Sequence, residues 1–451
     1  MISSTPEHLP ADTRTGPASA SKVQPLARLT RLQINQFRHV ARGTVLHFDH
    51  GINVLLGRNG TGKTTMLELI VAITRGDLRK YRGEAFDLEF ELLLGGESVK
   101  IAARNTTIPP KEPTEFFSKE SFEWSYEIDY EDAEGSQYHI EASKNLTRLS
   151  GPNSSSFPEA SLFNRSFYES CLILILNLDA TNFPGFRYQF RRLAKSSFRL
   201  DEGLDVFRSI TEGEDLPRIQ QPLSAHLFSD YPRNNFEEAT KRILELLMSY
   251  IPTPLLECLL SLGNSVHTTT EISASSEQWA LLETFRGLIG ARNARVTLSL
   301  VDRQEPSHGK FQSSFGKPIF RVTSHHGTTF NHDKFSYGEK RLLIFLYHAA
   351  ANPQILVADE LVNGLHYEWI QACLDAIKGQ AFLSSQNPLL LDHLPFSSAE
   401  EAQRRFVLCD RDGAGNWTWR NMDDAEASSF HRAYEVGVQH VSGILRTKGL
   451  W

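Results

Sequence analysis

The segment from Gly57 to Thr64 (GRNGTGKT) holds the residues with the clearest chemical potential, because it fits the pattern G-x-x-x-x-G-K-[ST] at every fixed position. The apolar run from Ile52 to Leu56 before it predicts a strand, and the run from Thr65 to Ile73 after it predicts a helix. A glycine-rich loop between a strand and a helix forms a phosphate cradle, because backbone N–H groups and the helix N-terminus point at the anion. The segment is therefore predicted to bind the phosphates of a nucleotide.

Individual roles in this loop follow from the chemistry of its side chains. Lys63 is expected to reach the β- and γ-phosphates of ATP, and the Thr64 hydroxyl is expected to bind Mg²⁺. The predicted nucleotide contacts of the loop are Asn59, Gly60, Thr61, Gly62, Lys63, Thr64 and Thr65. ATP and Mg²⁺ are therefore the predicted cofactors.

A second set of residues suited to phosphoryl transfer stands in the C-terminal part of the chain. The run from Ile355 to Ala358 predicts a buried parallel strand, and two carboxylates, Asp359 and Glu360, follow it directly. Asp359 is predicted to hold Mg²⁺, and Glu360 is predicted to orient and deprotonate the water that attacks ATP. The simpler alternative is a strand that ends at the surface in two acids. The strand and its two carboxylates follow shortly after a helix predicted to begin at Ser336, and this position disfavours that alternative.

Composition and charge limit the classes of protein to consider. The chain has 451 residues, of which 40% are hydrophobic and 22% charged, as expected for a folded protein with more than one core. Its net charge of -7 means that any contact with nucleic acid must be local. The sequence shows neither a membrane-spanning run nor a signal peptide, so a cytoplasmic location without membrane contact is expected. Scattered cysteines predict reduced, buried thiols; they are Cys171, Cys258, Cys373 and Cys409.

Composition changes along the chain and divides it into four predicted parts. These are a disordered tail (1–26), an N-terminal ATPase half with an antiparallel β-lobe (27–150), a compact helical insertion (151–293) and a C-terminal ATPase half (294–451). The β-lobe is expected to carry one solvated acidic face, and the stretch from Leu149 to Phe157 is predicted as a loop. Apolar residues at helical spacing from Phe236 to Tyr250 stop at Pro252, which is too short for a coiled-coil arm.

A basic stripe is predicted within the helical insertion. It consists of Arg187, Arg191, Arg192, Lys195 and Arg199, and four of these recur every four residues, which places them on one helix face. Two interpretations stay open. The stripe could contact DNA or an acidic partner protein, or it could be a solvated face that pairs with the acidic β-lobe of the same molecule.

Two runs resemble the opening of the ABC-type ATPases of the SMC, Rad50, RecF and OLD group. They extend from Leu32 to Arg38 (LQINQFR) and from Gly51 to Gly60 (GINVLLGRNG). The resemblance implies an α/β fold, namely an ABC-type P-loop ATPase head with an antiparallel β-lobe and a short helical insertion that replaces the coiled-coil arms. It also implies that Arg38 contacts the nucleotide.

The segment from Phe335 to Arg341 (FSYGEKR) resembles the signature motif of this group. Ser336 is the predicted helix N-cap, and the resemblance implies that Ser336, Gly338 and Glu339 contact the γ-phosphate. An ordinary capping box would read the same way, so that interpretation stays open.

Two further positions follow from the resemblance. The segment from Asn363 to His366 (NGLH) resembles the loop through which two ATPase heads touch, and Asn363 is an implied nucleotide contact. Gln386 stands where the group usually has a histidine that senses the γ-phosphate, and it joins Lys63 and Glu360 as an expected catalytic residue. Because glutamine cannot carry charge, slow and switch-like hydrolysis is expected.

The resemblance also implies how the molecule assembles and acts. In ABC-type ATPases the signature of one subunit closes the nucleotide of its neighbour, which implies two sandwiched ATP molecules and a homodimer or a larger ring of dimers. The layout of this chain resembles that of stand-alone ATPases from bacterial anti-phage defence systems, such as the AriA subunit of PARIS and the PtuA subunit of Septu. The implied role is a sensor or scaffold that controls a separate nuclease or toxin, with an acidic phage protein or DNA as a ligand for the basic stripe.

Two alternative functions stay open. One is a RecF-like DNA-repair ATPase that clamps DNA. The other is an OLD-like nuclease that uses Asp410 and Asp412. For Asp412 a competing interpretation is a hairpin turn between Val407 and Trp417.

Overall fold

The structure of the chain is a computed structural model. It describes residues 28–75, 78–81, 83–94, 97–108, 121–131, 137–143, 147–150, 155–157, 218–220, 270–304, 312–315, 319–351, 355–385, 388–437 and 440–450. The predicted tail, the apolar helix pattern between Phe236 and Tyr250, and the basic stripe lie outside the described residues.

The described strands and helices follow one another in a mixed order. The strands are β1 (Arg28–Phe37), β2 (Thr44–His47), β3 (Ile52–Leu56), β4 (Phe86–Leu94), β5 (Glu97–Ile108), β6 (Ser121–Glu131), β7 (Gln137–Ser143), β8 (Thr147–Ser150), β9 (Ser155–Phe157), β10 (Arg218–Gln220), β11 (Glu271–Ser275), β12 (Asn293–Gln304), β13 (Gln312–Phe315), β14 (Ile319–Thr323), β15 (Thr329–Asn331), β16 (Ile355–Ala358), β17 (Gln380–Ser384), β18 (Phe406–Arg411) and β19 (Trp417–Asn421). The helices are α1 (Lys63–Arg75), α2 (Ala280–Leu288), α3 (Tyr337–Ala351), α4 (Tyr367–Asp375), α5 (Leu389–Asp392), α6 (Ala399–Arg405), α7 (Asp424–Val436) and α8 (Val441–Thr447).

The central sheet has the strand order β16-β17-β3-β18-β19, and its first four strands run parallel. Alternate residues face two different cores. Leu55 and Val357 pack on the side of α1 and β1, whereas Val54 and Leu356 pack on the side of α3. Burial on both faces explains why these strands are largely apolar. Since β3 and β16 both pair in parallel with β17, the phosphate loop and the paired carboxylates emerge at the same edge of the sheet.

The second sheet is antiparallel, with the order β2-β1-β4-β5-β6-β7-β8-β9, and it confirms the predicted β-lobe. One face is buried by apolar side chains such as Leu88, Phe90 and Ile101. The strand register places the carboxylates on the opposite face; they are Asp87, Glu89, Glu91, Glu127, Asp129 and Glu141. The predicted acidic face is therefore confirmed.

The prediction of a loop from Leu149 to Phe157 is wrong at both ends of that segment, where the structure has short strands. Leu149 lies in β8, and β8 pairs with β9 antiparallel, with Thr147 opposite Phe157. Turn-forming residues occupy positions 151–154. They dominate the local pattern, whereas the short strands on either side are defined by backbone pairing rather than by side-chain type.

The third sheet has the order β10-β13-β12-β14-β15, and β11 also pairs with β12. Helix α2 packs beside this sheet, with Leu282 and Phe285 in the same core as Phe345 of α3. β11 and α2 precede residue 294, where the sequence suggests that the C-terminal half begins, yet they pack with that half. Among the described helices, none combines the length and apolar character that crossing a bilayer requires.

Candidate functional site

The phosphate loop joins β3 to α1 and closes around its own lysine. The Lys63 ammonium donates hydrogen bonds to the carbonyl oxygens of Gly57 (2.7 Å) and Arg58 (3.0 Å). The Thr61 hydroxyl donates to the same Arg58 oxygen at 2.8 Å. Lys63 is 7% exposed. The N–H groups at the start of α1 have no partner within the helix and are available to an anion. Asn59, Gly60 and Thr64 are exposed, and Thr65 is half-buried.

Thr64 and Asp359 meet at the edge where the parallel strands end. Thr64 Oγ1 donates a hydrogen bond to Asp359 Oδ2 at 2.7 Å, although 295 residues separate them. The hydroxyl of Ser384, at the end of β17, donates to Asp359 Oδ1. The Asp359 side chain is buried, so its contact with Ser384 is shielded from water, whereas the exposed Thr64 meets it from the solvent side. The structure therefore brings the two predicted Mg²⁺ ligands together.

The oxygen atoms of this pair fit a magnesium ion. Mg²⁺ takes oxygen ligands at about 2.0–2.1 Å in an octahedron, in which neighbouring ligands lie about 2.9 Å apart. The distance of 2.7 Å between Thr64 Oγ1 and Asp359 Oδ2 is close to that spacing. Bound there, Mg²⁺ would neutralise negative charge on the β- and γ-phosphates.

Glu360 lies in a sharp turn directly after β16, with φ of 52°. This left-handed backbone costs a residue with a side chain on the order of 1–3 kcal/mol. Arg341 of α3, which is 5% exposed, donates to the carbonyl oxygens of Asp359 (3.3 Å), Leu361 (3.3 Å) and Glu360. The Asn363 amide donates to Glu360 Oε2 at 3.3 Å. The turn that presents the predicted general base is thus held by a buried guanidinium.

The signature segment begins α3 with a reciprocal cap. The Glu339 backbone N–H donates to Ser336 Oγ at 3.3 Å, and the Ser336 backbone N–H donates to Glu339 Oε2 at 2.7 Å. The capping box left open by the sequence is therefore present, and Ser336 is exposed. An exposed helix N-terminus with a serine hydroxyl suits an anion from another molecule equally well. The two interpretations are compatible.

Gly338 lies against the loop that follows Glu360. A Cβ atom added at Gly338 would come within 2.5 Å of the Gly364 carbonyl oxygen, and one added at Gly364 would come within 2.8 Å of the Tyr337 ring. The signature segment and the Asn363-Gly364 loop therefore form one surface. Tyr337 is 67% exposed on it.

Arg38, the implied nucleotide contact from the N-terminal run, is engaged in an ion pair. Its Nε and Nη2 atoms donate to the two carboxylate oxygens of Glu84 at 2.6 and 2.7 Å. The guanidinium carbon also lies 5.3 Å from the ring centroids of Phe37 and Tyr81. The hydrogen bonds that Arg38 donates to Glu84 raise the pKa of Arg38. A role in nucleotide binding stays a prediction.

Asp412, offered by the nuclease alternative, serves the turn between β18 and β19. Its carboxylate accepts hydrogen bonds from the backbone N–H groups of Ala414 and Asn416 and from the Asn416 amide, at 2.8–2.9 Å. These bonds lower the pKa of Asp412, the Asn416 side chain contributing most. The structure confirms the predicted hairpin. Gln386 lies outside the described residues, as does the basic stripe.

The sequence interpretation missed several residues that touch the site. Ser384 could have been found, because a hydroxyl at the end of a strand beside β16 must lie near Asp359. Arg341 ends the signature segment, but the resemblance gave it no role. The other missed residues, Arg411, Trp417 and Trp419, have no local motif, and all four donate to backbone carbonyl oxygens. Cys409, under the loop, is an inert neighbour because burial raises the pKa of its thiol to about 12.

A parallel sheet that places a phosphate loop beside two carboxylates defines a P-loop ATPase head, and the α/β fold predicted from the sequence is confirmed. Residues 52–392 match the family described as "AAA domain, putative AbiEii toxin, Type IV TA system". The chain belongs to this family, and ATP hydrolysis is the reaction that an AAA-type ATPase domain implies.

RecF proteins are similar to a short part of the chain, and solved Smc heads resemble it at low sequence identity. The DNA replication and repair protein RecF of Actinobacillus succinogenes is 48% identical over 48 residues, and RecF of Pasteurella multocida is 46% identical over 48 residues. Each match covers 11% of this chain and 13% of RecF.

Among solved structures, an Smc head bound to the C-winged helix domain of ScpA aligns with a TM-score of 0.41 and 13% identity, covering 88% of this chain and 99% of the Smc chain. An Smc head from Pyrococcus furiosus, with an extended coiled coil and the C-terminal domain of ScpA, aligns with a TM-score of 0.38 and 12% identity. That alignment covers 91% of this chain and 100% of the Smc chain.

Proposed function

We propose that this chain is an ATPase that dimerises around ATP and uses slow hydrolysis as a molecular switch. The observation that carries the proposal is the part-buried hydrogen bond of 2.7 Å between Thr64 and Asp359. It joins the phosphate loop to the strand that ends in carboxylates, and each of these two segments alone could be accidental. Together they supply a phosphate cradle, a metal site and a general base.

The chemistry proposed for each residue follows from its place in the site. The N–H groups of the loop and Lys63 bind the β- and γ-phosphates. Glu360 orients a water molecule and takes its proton as the water attacks the γ-phosphorus. Gln386 would hydrogen-bond the γ-phosphate without adding charge, which favours a slow rate.

The second half of the site is proposed to come from another copy of the chain. Ser336, Gly338 and Asn363 contribute to one exposed surface, where α3 begins. Both edges of a nucleotide would be covered if two heads faced each other through this surface. The assembly would then be a homodimer, or a ring of dimers, that ATP closes and hydrolysis opens.

The biological role proposed is that of a cytoplasmic sensor or scaffold in bacterial anti-phage defence, controlling a separate nuclease or toxin. The resemblance to stand-alone defence ATPases supports this role. The family description, which names a toxin and a toxin–antitoxin system, is in keeping with it. An ATP-closed dimer could report a trigger to an effector because each state presents a different surface.

Glu360→Gln is the variant that tests the ATPase. Loss of the general base is expected to lower the rate of ATP hydrolysis by about a hundredfold or more. The same variant should still bind ATP, and ATP with Mg²⁺ should convert it to a stable dimer, measured by light scattering after size exclusion.

Glu277→Gln is the matched control, since Glu277 is an exposed carboxylate in another part of the fold. Its hydrolysis rate and oligomeric state should equal those of the wild type. A Glu360→Gln protein that hydrolysed ATP at the wild-type rate would contradict the proposed mechanism.

A RecF-like DNA-clamping ATPase is the second candidate, because 48 residues are 48% identical to RecF of Actinobacillus succinogenes. This candidate requires that DNA stimulates ATP hydrolysis and that charge reversal at Arg187, Arg191 and Lys195 abolishes the stimulation. The defence role requires neither, and instead a stable complex with an effector protein. The nuclease alternative would require cleavage by the purified chain, and the turn-forming role of Asp412 gives it no support.

A further inference from the structure

The carbonyl groups on the outer side of the phosphate loop accept hydrogen bonds from the C-terminal hairpin β18–β19. The Trp417 indole N–H donates to the Gly60 carbonyl oxygen at 3.0 Å, and Arg411 Nε donates to the same oxygen at 2.9 Å. The Trp419 indole N–H donates to the Thr61 carbonyl oxygen at 2.9 Å. We call Arg411, Trp417 and Trp419 the hairpin donors. The donor side chains of Arg411, Trp417 and Trp419 lie 351, 357 and 358 residues along the chain from the groups they contact.

The hairpin that carries these donors is fixed independently of the loop. β18 pairs in parallel with β3, the strand that leads into the loop. The Trp417 backbone N–H donates to the His39 carbonyl oxygen at 2.7 Å, and the Ala41 N–H donates to the Trp417 carbonyl oxygen at 2.9 Å. The donors are therefore anchored to the sheet and to the connection between β1 and β2. They do not depend on the loop for their positions.

The two indole rings also determine the shape of the loop at Gly62. They stack with centroids 5.8 Å apart and an angle of 12° between planes. A Cβ atom at Gly62 would lie 2.7 Å from the Trp417 ring and 2.9 Å from the Trp419 ring. Gly62 also has φ of 86°, so both the backbone and the rings require glycine.

Peptide geometry converts these outer contacts into an effect on the inner side. In a planar trans peptide the C=O and the following N–H point in opposite directions. A donor that holds the Gly60 carbonyl outward therefore turns the Thr61 N–H inward, and the bond to the Thr61 carbonyl does the same for the Gly62 N–H. A hydrogen bond to the carbonyl also polarises the peptide and strengthens its N–H as a donor.

We propose that Arg411, Trp417 and Trp419 are positioning residues that preorganise the phosphate loop, by aiming the N–H groups of Thr61 and Gly62 at the phosphates of ATP. The inference rests on the ATP-binding function proposed above and adds residues that carry no motif. The loop binds the phosphate groups of its ligand. The hairpin donors should therefore affect the affinity for ATP, ADP and inorganic triphosphate alike.

The test uses variants that remove the donated N–H groups and keep part of each side chain. Trp417→Phe and Trp419→Phe keep an aromatic ring, and Arg411→Met keeps the aliphatic stem. Calorimetric titration of the full chain should show about two- to tenfold weaker binding of ATP for each variant, because each removes one of the hydrogen bonds that orient the loop peptides. Inorganic triphosphate should lose affinity by the same factor. Unfolding midpoints are measured in parallel.

Two controls separate positioning from general loosening of the fold. Trp279→Phe removes an indole from a buried site in another part of the core, and Arg404→Met removes an exposed arginine of α6. Both should bind ATP as the wild type does, even where the unfolding midpoint falls.

Equal ATP affinity in wild type and Arg411→Met would overturn the inference, and this exposed position decides the matter if a tryptophan variant fails to fold. The same fold-loss in the controls would also overturn it. Wild-type protein that bound no ATP would instead overturn the proposed function.

Discussion

Single residues in this protein carry contacts that join distant parts of the site. Arg341 is the clearest case, because one buried guanidinium from the signature helix donates to three successive backbone carbonyl groups around Glu360. Its Nη1 atom also lies 3.4 Å from the Tyr337 hydroxyl on the exposed signature surface. A displacement of Tyr337 at that surface can therefore shift Arg341, and with it the turn that presents the predicted general base.

Gly338→Ala tests this surface at the level of one methyl group. The added Cβ would lie 2.5 Å from the Gly364 carbonyl oxygen, which is backbone and cannot move freely. The free energy of unfolding is expected to fall by about 1–3 kcal/mol, as for other overpacked sites. ATP-dependent dimerisation should weaken as well, since the signature segment and the Asn363-Gly364 loop shift together. Urea unfolding and light scattering measure the two effects.

Gly287→Ala is the matched control for that substitution. Gly287 lies in α2, and a Cβ atom there meets nothing within 4 Å. Alanine should stabilise this helix by about 0.5–1 kcal/mol, because it loses less backbone entropy on folding. A Gly338→Ala protein that gained stability like Gly287→Ala would show that the close contact is easily relaxed.

Strands and helices differ in how far the sequence determines them. The alternation in β4 and β5 and the largely apolar sequences of β3 and β16 indicate burial directly, so the β-lobe and the parallel sheet could be predicted. The meeting of Thr64 and Asp359 follows from the same reasoning, because the ends of parallel strands share an edge. Contacts of Trp417 and Trp419 could not be predicted, since a side chain that binds a remote backbone carbonyl leaves no periodic pattern.

Helix α7 shows how local polar contacts stabilise an element. Asp423 caps it, and the Glu426 carboxylate accepts from the Asp423 backbone N–H at 2.9 Å, completing a capping box. Arg420 also pairs with Glu426, through Nη2 at 2.8 Å. The hydrogen bonds from Arg420 lower the pKa of Glu426 below its ordinary value of 4.5.

Glu426→Gln is expected to reduce stability at pH 7 by about 0.5–1 kcal/mol. Glutamine can still accept the bond from the Asp423 N–H, but it loses the ion pair with Arg420 and the negative charge at the helix N-terminus. Because the folded-state pKa is lowered, this stabilisation is complete above about pH 4.5 and is lost as the pH falls through the folded pKa. The difference in melting temperature between variant and wild type should therefore shrink below pH 4.5. Glu277→Gln, at an exposed carboxylate, should show no such trend, and a difference that grew in acid would refute the assignment.

The proposed dimer predicts that two copies with different defects can restore activity to each other. Each chain carries both a phosphate loop and a signature surface, and a single head could not show this effect. If Lys63 of one copy and Ser336 of the other bound the same ATP, a mixture of Lys63→Ala and Ser336→Arg proteins would contain hybrid dimers with one intact site. Each variant alone should be inactive. The mixture should recover about a quarter of wild-type ATPase activity, because half of randomly mixed dimers are hybrids with one of two sites intact.

A second mixture provides the decisive comparison. Lys63 and Glu360 are proposed to serve the nucleotide of their own head, next to the bonded pair Thr64 and Asp359. Mixing Lys63→Ala with Glu360→Gln therefore leaves every site of the hybrid dimer damaged, and activity should stay at the level of the separate variants. Recovery in the first mixture and none in the second would assign Ser336 to the partner's nucleotide. Equal inactivity of both mixtures would mean that each head completes its site without a second copy.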